Sequence, residues 1–142
     1  MVISLLDVIT IISSLSALVL SIISFSHSRA SVVKDFFAQV DSPDMRAYRK
    51  TIYDIYNNEK DPELRYNQLL AHEKDVTQTI SCFEFWALMV KKHYLPRWAF
   101  QASSKFVAIT LYNKVKPYIE YRRKDQPDYA KHFEWLISRL NK

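Results

Sequence analysis

From Val2 to Ser28 large apolar and small polar residues recur with the spacing of one long helix. With Asp7 as position a of a heptad, the a and d sites are Asp7, Thr10, Ser14, Ala17, Ser21, Ser24 and Ser28. Every one is small or polar, although small and polar residues make up only half of Asp7–Ser28. Val8, Ile9, Ile11, Ile12, Leu15, Leu18, Val19, Leu20, Ile22, Ile23 and Phe25 occupy most of the remaining surface. The run is long enough to cross a bilayer. The same helix is expected to continue through Val32, Val33, Phe36, Phe37 and Val40.

Beyond it the pattern is helical throughout, with no β alternation and no repeat. Asp41-Ser42-Pro43 combines a cap residue with proline at a first helical position, so a helix starts there and runs to about Tyr56. It presents Met45, Tyr48, Ile52 and Ile55 on one side and Arg46, Arg49 and Lys50 on the other. A short helix over Glu63–His72 and a longer one over Asp75–Tyr94 follow, the second with Val76, Ile80, Phe83, Ala87 and Val90 on its apolar face. Trp98–Arg123 reads as one helix, kinked or divided at Pro117, with Phe106, Ile109, Leu111, Tyr112, Val115 and Ile119 inward. After Asp125-Gln126-Pro127 a last helix buries Tyr129, Phe133, Leu136 and Leu140. The expected fold is all-α: a transmembrane helix (1–29), a helical stalk (30–41) and a cytosolic helical bundle (42–142), oligomeric around a central axis.

The seam explains why oligomerisation is expected. Ser, Thr and Ala let helix backbones approach closely and hydrogen-bond where lipid offers no partner, and a 3.5-residue period implies a left-handed supercoil. Two outcomes stand. In a dimer or trimer the stripe is a dry packing seam; in a ring of four or more the axis opens and hydroxyls line a pore. Four helices are the first expectation, with Asp7 at the outer mouth and Arg29 at the inner mouth biasing ions in opposite senses.

Charge and composition narrow the setting. The chain carries a net charge of +5, all of it retained once the first 29 residues are set aside, which favours phosphates or anionic headgroups. Those remaining residues, about 113, suffice for one modest core. A single cysteine, Cys82, forms no internal disulfide and suits a reducing compartment. There is no glycine, which excludes P-loops, dinucleotide fingerprints and nucleophile elbows. No Lys or Arg precedes the apolar run and the run is too long for a signal peptide, so a retained anchor is expected. Arg29 and Lys34 follow it, which places the bundle in the cytoplasm and the N-terminus outside.

Catalytic and metal chemistry find no pattern. His27, His72, His93 and His132 lack metal-ligand spacing, Cys82 sits on an apolar face, and Glu84 and Glu134 lie among aromatics as arginine partners or exposed carboxylates. Neither an enzyme nor a cofactor is expected. Two basic-aromatic clusters are better candidates: Lys91, Lys92, His93, Tyr94, Arg97 and Trp98, and Tyr118, Tyr121, Arg122, Arg123 and Lys124. Cations on phosphates with aromatic faces on bases hold single-stranded nucleic acid. The plainer reading is that cations gather at helix C-termini, where the macrodipole favours them.

Phe36-Phe37, Ser42-Pro43-Asp44-Met45-Arg46, Phe83-Glu84-Phe85-Trp86, Lys116-Pro117-Tyr118-Ile119-Glu120-Tyr121-Arg122-Arg123, Pro127-Asp128-Tyr129 and Phe133-Glu134-Trp135-Leu136 together resemble a small bacterial family known only as a domain of unknown function. In layout the chain also resembles the channel-forming effectors of Hailong-type anti-phage defence. That resemblance implies a homo-oligomeric channel in the bacterial inner membrane. It further implies a cytosolic domain that binds a single-stranded DNA oligomer made by a partner nucleotidyltransferase, binding that keeps the channel shut. The rival reading is a non-conducting membrane adaptor that dimerises through the serine-rich helix and docks a protein. A third is a lytic, holin-like toxin.

Overall fold

The computed structural model describes residues 5–141, apart from the side chains of Leu5, Asp7, Val8 and Ile11. Among these residues the chain is all-helical: α1 (Leu5–Val40), α2 (Pro43–Asn58), α3 (Pro62–Ala71), α4 (Glu73–Lys91), α5 (Arg97–Ser103), α6 (Lys105–Arg122) and α7 (Lys131–Leu140). Local chemistry sets most of the boundaries. Ser42 caps α2, its Oγ accepting from the Met45 amide at 3.2 Å with Pro43 at the first position. Asp61 caps α3 in the same way, accepting from Glu63 and Leu64 at 2.8 and 3.1 Å. With no glycine to end α4, His93 takes the left-handed position (φ 63°). The His93 and Tyr94 amides then return to the Val90 and Met89 carbonyls, forming a Schellman turn.

Helix α4 forms the middle of the bundle and packs chiefly on α7 and α2, while α6 closes against α7, α2 and α3. Its expected apolar face, Val76, Ile80, Phe83, Ala87 and Val90, is buried, as are Cys82 and Trp86. Phe83 stacks on Phe133 of α7 with centroids 5.1 Å apart. The lower end of α1 belongs to the same core. Phe36 is fully buried, 5.3 Å from the Trp86 ring and 4.7 Å from the Phe100 ring, and Val32, Val33, Phe37 and Val40 pack round it. Trp86 Nε1 donates to Gln39 Oε1 at 2.9 Å, and Arg49 donates to the Val40 carbonyl at the end of α1. The stalk is therefore docked along one side rather than free-standing. Truncating a buried ring such as Phe36 costs about 3–5 kcal/mol, which sets the strength of the joint.

Two expectations fail in one region. Trp98–Arg123 is divided at Ser103–Ser104, not at Pro117, which lies exposed inside α6. Adjacent serines compete with the helical ladder: Ser103 Oγ bonds the Ala99 carbonyl and lies 3.2 Å from Ser104 Oγ. Pro117 leaves the Asn113 carbonyl without its helical donor, and both residues lie on the exposed side of α6, where the cost of that loss is small. Phe106, expected inward, is 81 % exposed. It lies about 200° round the helix from Ala108, which with Leu111, Tyr112 and Val115 sets the buried side of α6.

Candidate functional site

Above the bundle α1 stands bare. From Ile12 to Ala30 every residue is exposed, including Leu15, Leu18, Leu20, Ile22, Ile23 and Phe25. The 24 residues from Leu5 to Ser28 rise about 36 Å, against a hydrocarbon core of about 30 Å. This one helix is long and apolar enough to cross a membrane. An apolar surface of this extent is not left to water.

Thr10, Ser14, Ala17, Ser21, Ser24 and Ser28 share an exposed stripe along α1; Asp7 opens the same register, but its side chain is outside the described set. Thr10 and Ser14 donate their hydroxyl protons to the carbonyls four residues back, at 2.8 Å each, and Ser16 does so at 2.9 Å. A hydroxyl bonded in this way turns its lone pairs outward, so Thr10 and Ser14 present oxygen acceptors on the stripe. The heptad register also runs on past Ser28 to Ser31, Asp35 and Ala38, all small or polar and all exposed. Those three lie roughly 150° round the helix from Val32, Val33, Phe36 and Val40, which hold α1 to the bundle. The bundle is fastened to the back of α1 and leaves the stripe uncovered for its whole described length. Arg29 is turned toward the bundle, its Nη2 donating to the His93 carbonyl at 3.3 Å and its guanidinium lying 5.1 Å from the Phe25 ring. It does not share the stripe.

The two basic clusters stand at opposite ends of α4, about 27 Å apart along its axis. At the Glu73 end the arginines already have partners. Arg122 pairs with Glu73 at 2.8 Å, and Glu73 also accepts from the buried Tyr118 hydroxyl at 2.8 Å. Arg123 pairs with Glu134 at 2.8 Å and donates to the Tyr129 carbonyl. These bonds hold the end of α6 to α4 and α7, and the Arg123 guanidinium keeps the Glu134 carboxyl below its ordinary pKa. Lys124 lies over the Tyr121 ring.

At the other end the cations are open. Lys91 lies 5.8 Å from the Trp135 ring, Lys92 and His93 are exposed, and Arg97 donates to the Arg139 carbonyl. Among the described residues none of Arg29, Lys91, Lys92, Arg97 and Arg139 is paired with a carboxylate. Tyr94 and Trp98 are 60 and 57 % exposed. Trp98 and Pro96 share a shallow pocket with Arg29, Ala30 and Val33, so this cluster lies against the foot of the apolar helix.

A family model for a domain of unknown function, DUF4760, matches residues 8–140. The chain belongs to the DUF4760 family. No curated protein and no solved structure matches it. The matched DUF4760 span takes in α1 together with the bundle, so the serine stripe lies within the family unit.

Three features of this DUF4760 chain escaped the sequence reading. The stripe beyond Ser28 was there to find by extending the heptad count. The nearness of Lys91–Trp98 to Arg29 spans more than sixty residues, with no local signal. Glu84 was read as an arginine partner or a solvated carboxylate. It instead caps α7 from α4, accepting from the His132 and Phe133 amides at 3.2 and 2.7 Å and from His132 Nδ1 at 2.6 Å. Cys82 is buried, and burial pushes its thiol up to about 11. Among the described residues no three His, Cys, Asp or Glu side chains gather as metal ligands.

Proposed function

We propose that this chain is the subunit of a homo-oligomeric, single-pass membrane channel whose α1 stripe lines the conducting path. One observation carries the reading. The bundle grips α1 on the side away from Ser31, Asp35 and Ala38 and leaves the stripe exposed from Thr10 to Ala38. Four or more copies packed through that stripe enclose an axis lined by hydroxyl oxygens, with Asp7 and Asp35 on the same register four heptads apart. Oxygen acceptors and carboxylates on the axis, with Arg29 turned away from it, give a cation-selective path. The basic residues after the span orient the bundle to the cytoplasm. There, in keeping with the layout resemblance, it answers to a single-stranded DNA oligomer from a partner nucleotidyltransferase in a bacterial anti-phage system, the bound form being closed.

Replacing Ser21 with Leu tests the path. The purified variant should keep the wild-type oligomeric state in detergent and lose single-channel current in planar bilayers, because isobutyl groups close the axis at mid-membrane. Unchanged current in a variant of unchanged assembly rejects a path along this stripe. A wild-type dimer favours the adaptor, since two helices enclose no path.

A further inference from the structure

We infer that the corner between α4 and α5 is a docking surface for the anionic phospholipid headgroups around the subunit's own membrane helix. The chemistry of the corner fits that occupant, and its position fits better. Arg29, Ala30 and Val33, which share a pocket with Trp98, follow Ser28 by one to five residues. At about 1.5 Å per residue they fall within the first 8 Å beyond the apolar run, the depth of a headgroup layer. Trp98 and Tyr94 thus sit at the level where amphipathic rings concentrate in membrane proteins. Both are more than half exposed, and among the other described large rings of the bundle only Phe106 is.

Charge points the same way. No Asp or Glu occurs between Glu84 and Glu120, whereas six Lys and Arg do. Among the described residues Lys91, Lys92 and Arg97 have no carboxylate partner, so their charge is free to meet an anion. An unpaired cation within a Debye length of an anionic leaflet gains attraction that a cation on the far side does not. The left-handed turn at His93 sets this arrangement. It reverses the chain so that Tyr94–Trp98 folds back toward α1, and the His93 carbonyl accepts from Arg29. Headgroup and nucleic-acid phosphates offer the same charge, but only the membrane is already held at this place by the helix.

The inference rests on α1 crossing the bilayer and not on conduction. The test places the full chain in nanodiscs of phosphatidylcholine, with and without phosphatidylglycerol, and reads tryptophan quenching by headgroup spin-labelled lipid. The Trp98→Phe variant subtracts Trp86 and Trp135. The expected result is strong quenching of the Trp98 component in anionic discs, weaker in neutral discs and weakened by salt. Each of Lys91→Gln and Lys92→Gln should shift the docked-to-undocked ratio roughly fivefold. A chain that fails to enter the discs rejects the membrane reading of α1 itself. An inserted chain whose Trp98 is unquenched, or quenched equally in both discs, overturns the docking surface alone. Unquenched Trp98 that instead responds to added single-stranded oligonucleotide, with the response lost in Lys92→Gln, makes the corner a nucleic-acid site.

Discussion

Glu84 offers the sharpest test of how the bundle is held together. Helix α7 begins at Lys131 behind Ala130, a residue in the left-handed region that brings no capping side chain. Its first amides need an acceptor, and the carboxylate of Glu84, one helix away, supplies both oxygens. The site is about three-quarters enclosed, with the Glu84 side chain 26 % and the His132 side chain 18 % exposed. Glu84→Ala removes two amide bonds to a charged acceptor, the bond to His132, and a negative charge at a helix N-terminus. Partial access of water to the freed amides reduces the loss, leaving about 2–4 kcal/mol. Glu84→Gln keeps one acceptor oxygen and the shape but not the charge, and should cost about 1–2 kcal/mol. The assay is urea unfolding in detergent followed by tryptophan fluorescence, to which buried Trp86 contributes, with the transition midpoint falling at constant slope. Hydrogen exchange at the His132 and Phe133 amides should speed up before the rest of α7. If Glu84→Gln matches the wild type and Glu84→Ala costs under about 1 kcal/mol, water serves those amides equally well and the carboxylate is no cap.

Two further outcomes follow from the same contacts. His93→Gly should stabilise the bundle by about 0.5–1 kcal/mol, because glycine adopts positive φ without the Cβ clash and the Arg29 acceptor is a main-chain oxygen; a loss in the urea midpoint contradicts this. Glu134, held below its ordinary carboxylate value by Arg123, contributes stability that is full above about pH 4.5 and is lost as pH falls through its lowered folded value. Glu134→Gln should therefore flatten the acid side of the stability profile in urea titrations run across that range, and an unchanged profile contradicts the pairing.

Where one residue type acts on its own neighbours, the sequence is readable. Ser42-Pro43 and Asp61-Pro62 start helices because a side-chain oxygen and a fixed φ act within four residues. The buried face of α4 follows from its spacing alone. The division of the α5–α6 stretch at Ser103–Ser104 is not legible from the sequence, where Pro117 is the stronger break signal. A proline costs little where its orphaned carbonyl meets water, whereas two adjacent hydroxyls compete with the ladder directly. The basic clusters were visible as composition, but not their availability. Arg122 meets Glu73 across 49 positions and Arg123 meets Glu134 across 11, and no local pattern announces either pairing. Of two clusters that look alike in sequence, the fold occupies one and leaves the other open at the foot of α1.

That asymmetry bears on how the bundle could act on the helix it carries. Phe36 and Val40 are buried, so the bundle fixes the rotation of α1 about its own axis and thereby the direction in which the stripe faces. An assembly built on the stripe must then place its bundles outside the stem, with the α4–α5 corners turned toward the surrounding leaflet. Any ligand or lipid that changes the seat of the corner applies its force beside Arg29, about where the apolar run ends. From there α1 runs unbroken to the stripe, with neither glycine nor proline between Leu5 and Val40 to absorb a bend. A rotation of the bundle is therefore passed to Ser21 and Ser24 as a rotation of the helix. In the channel proposed above, a signal from the bundle would reach the stripe as a change of azimuth, with no unfolding of α1 required.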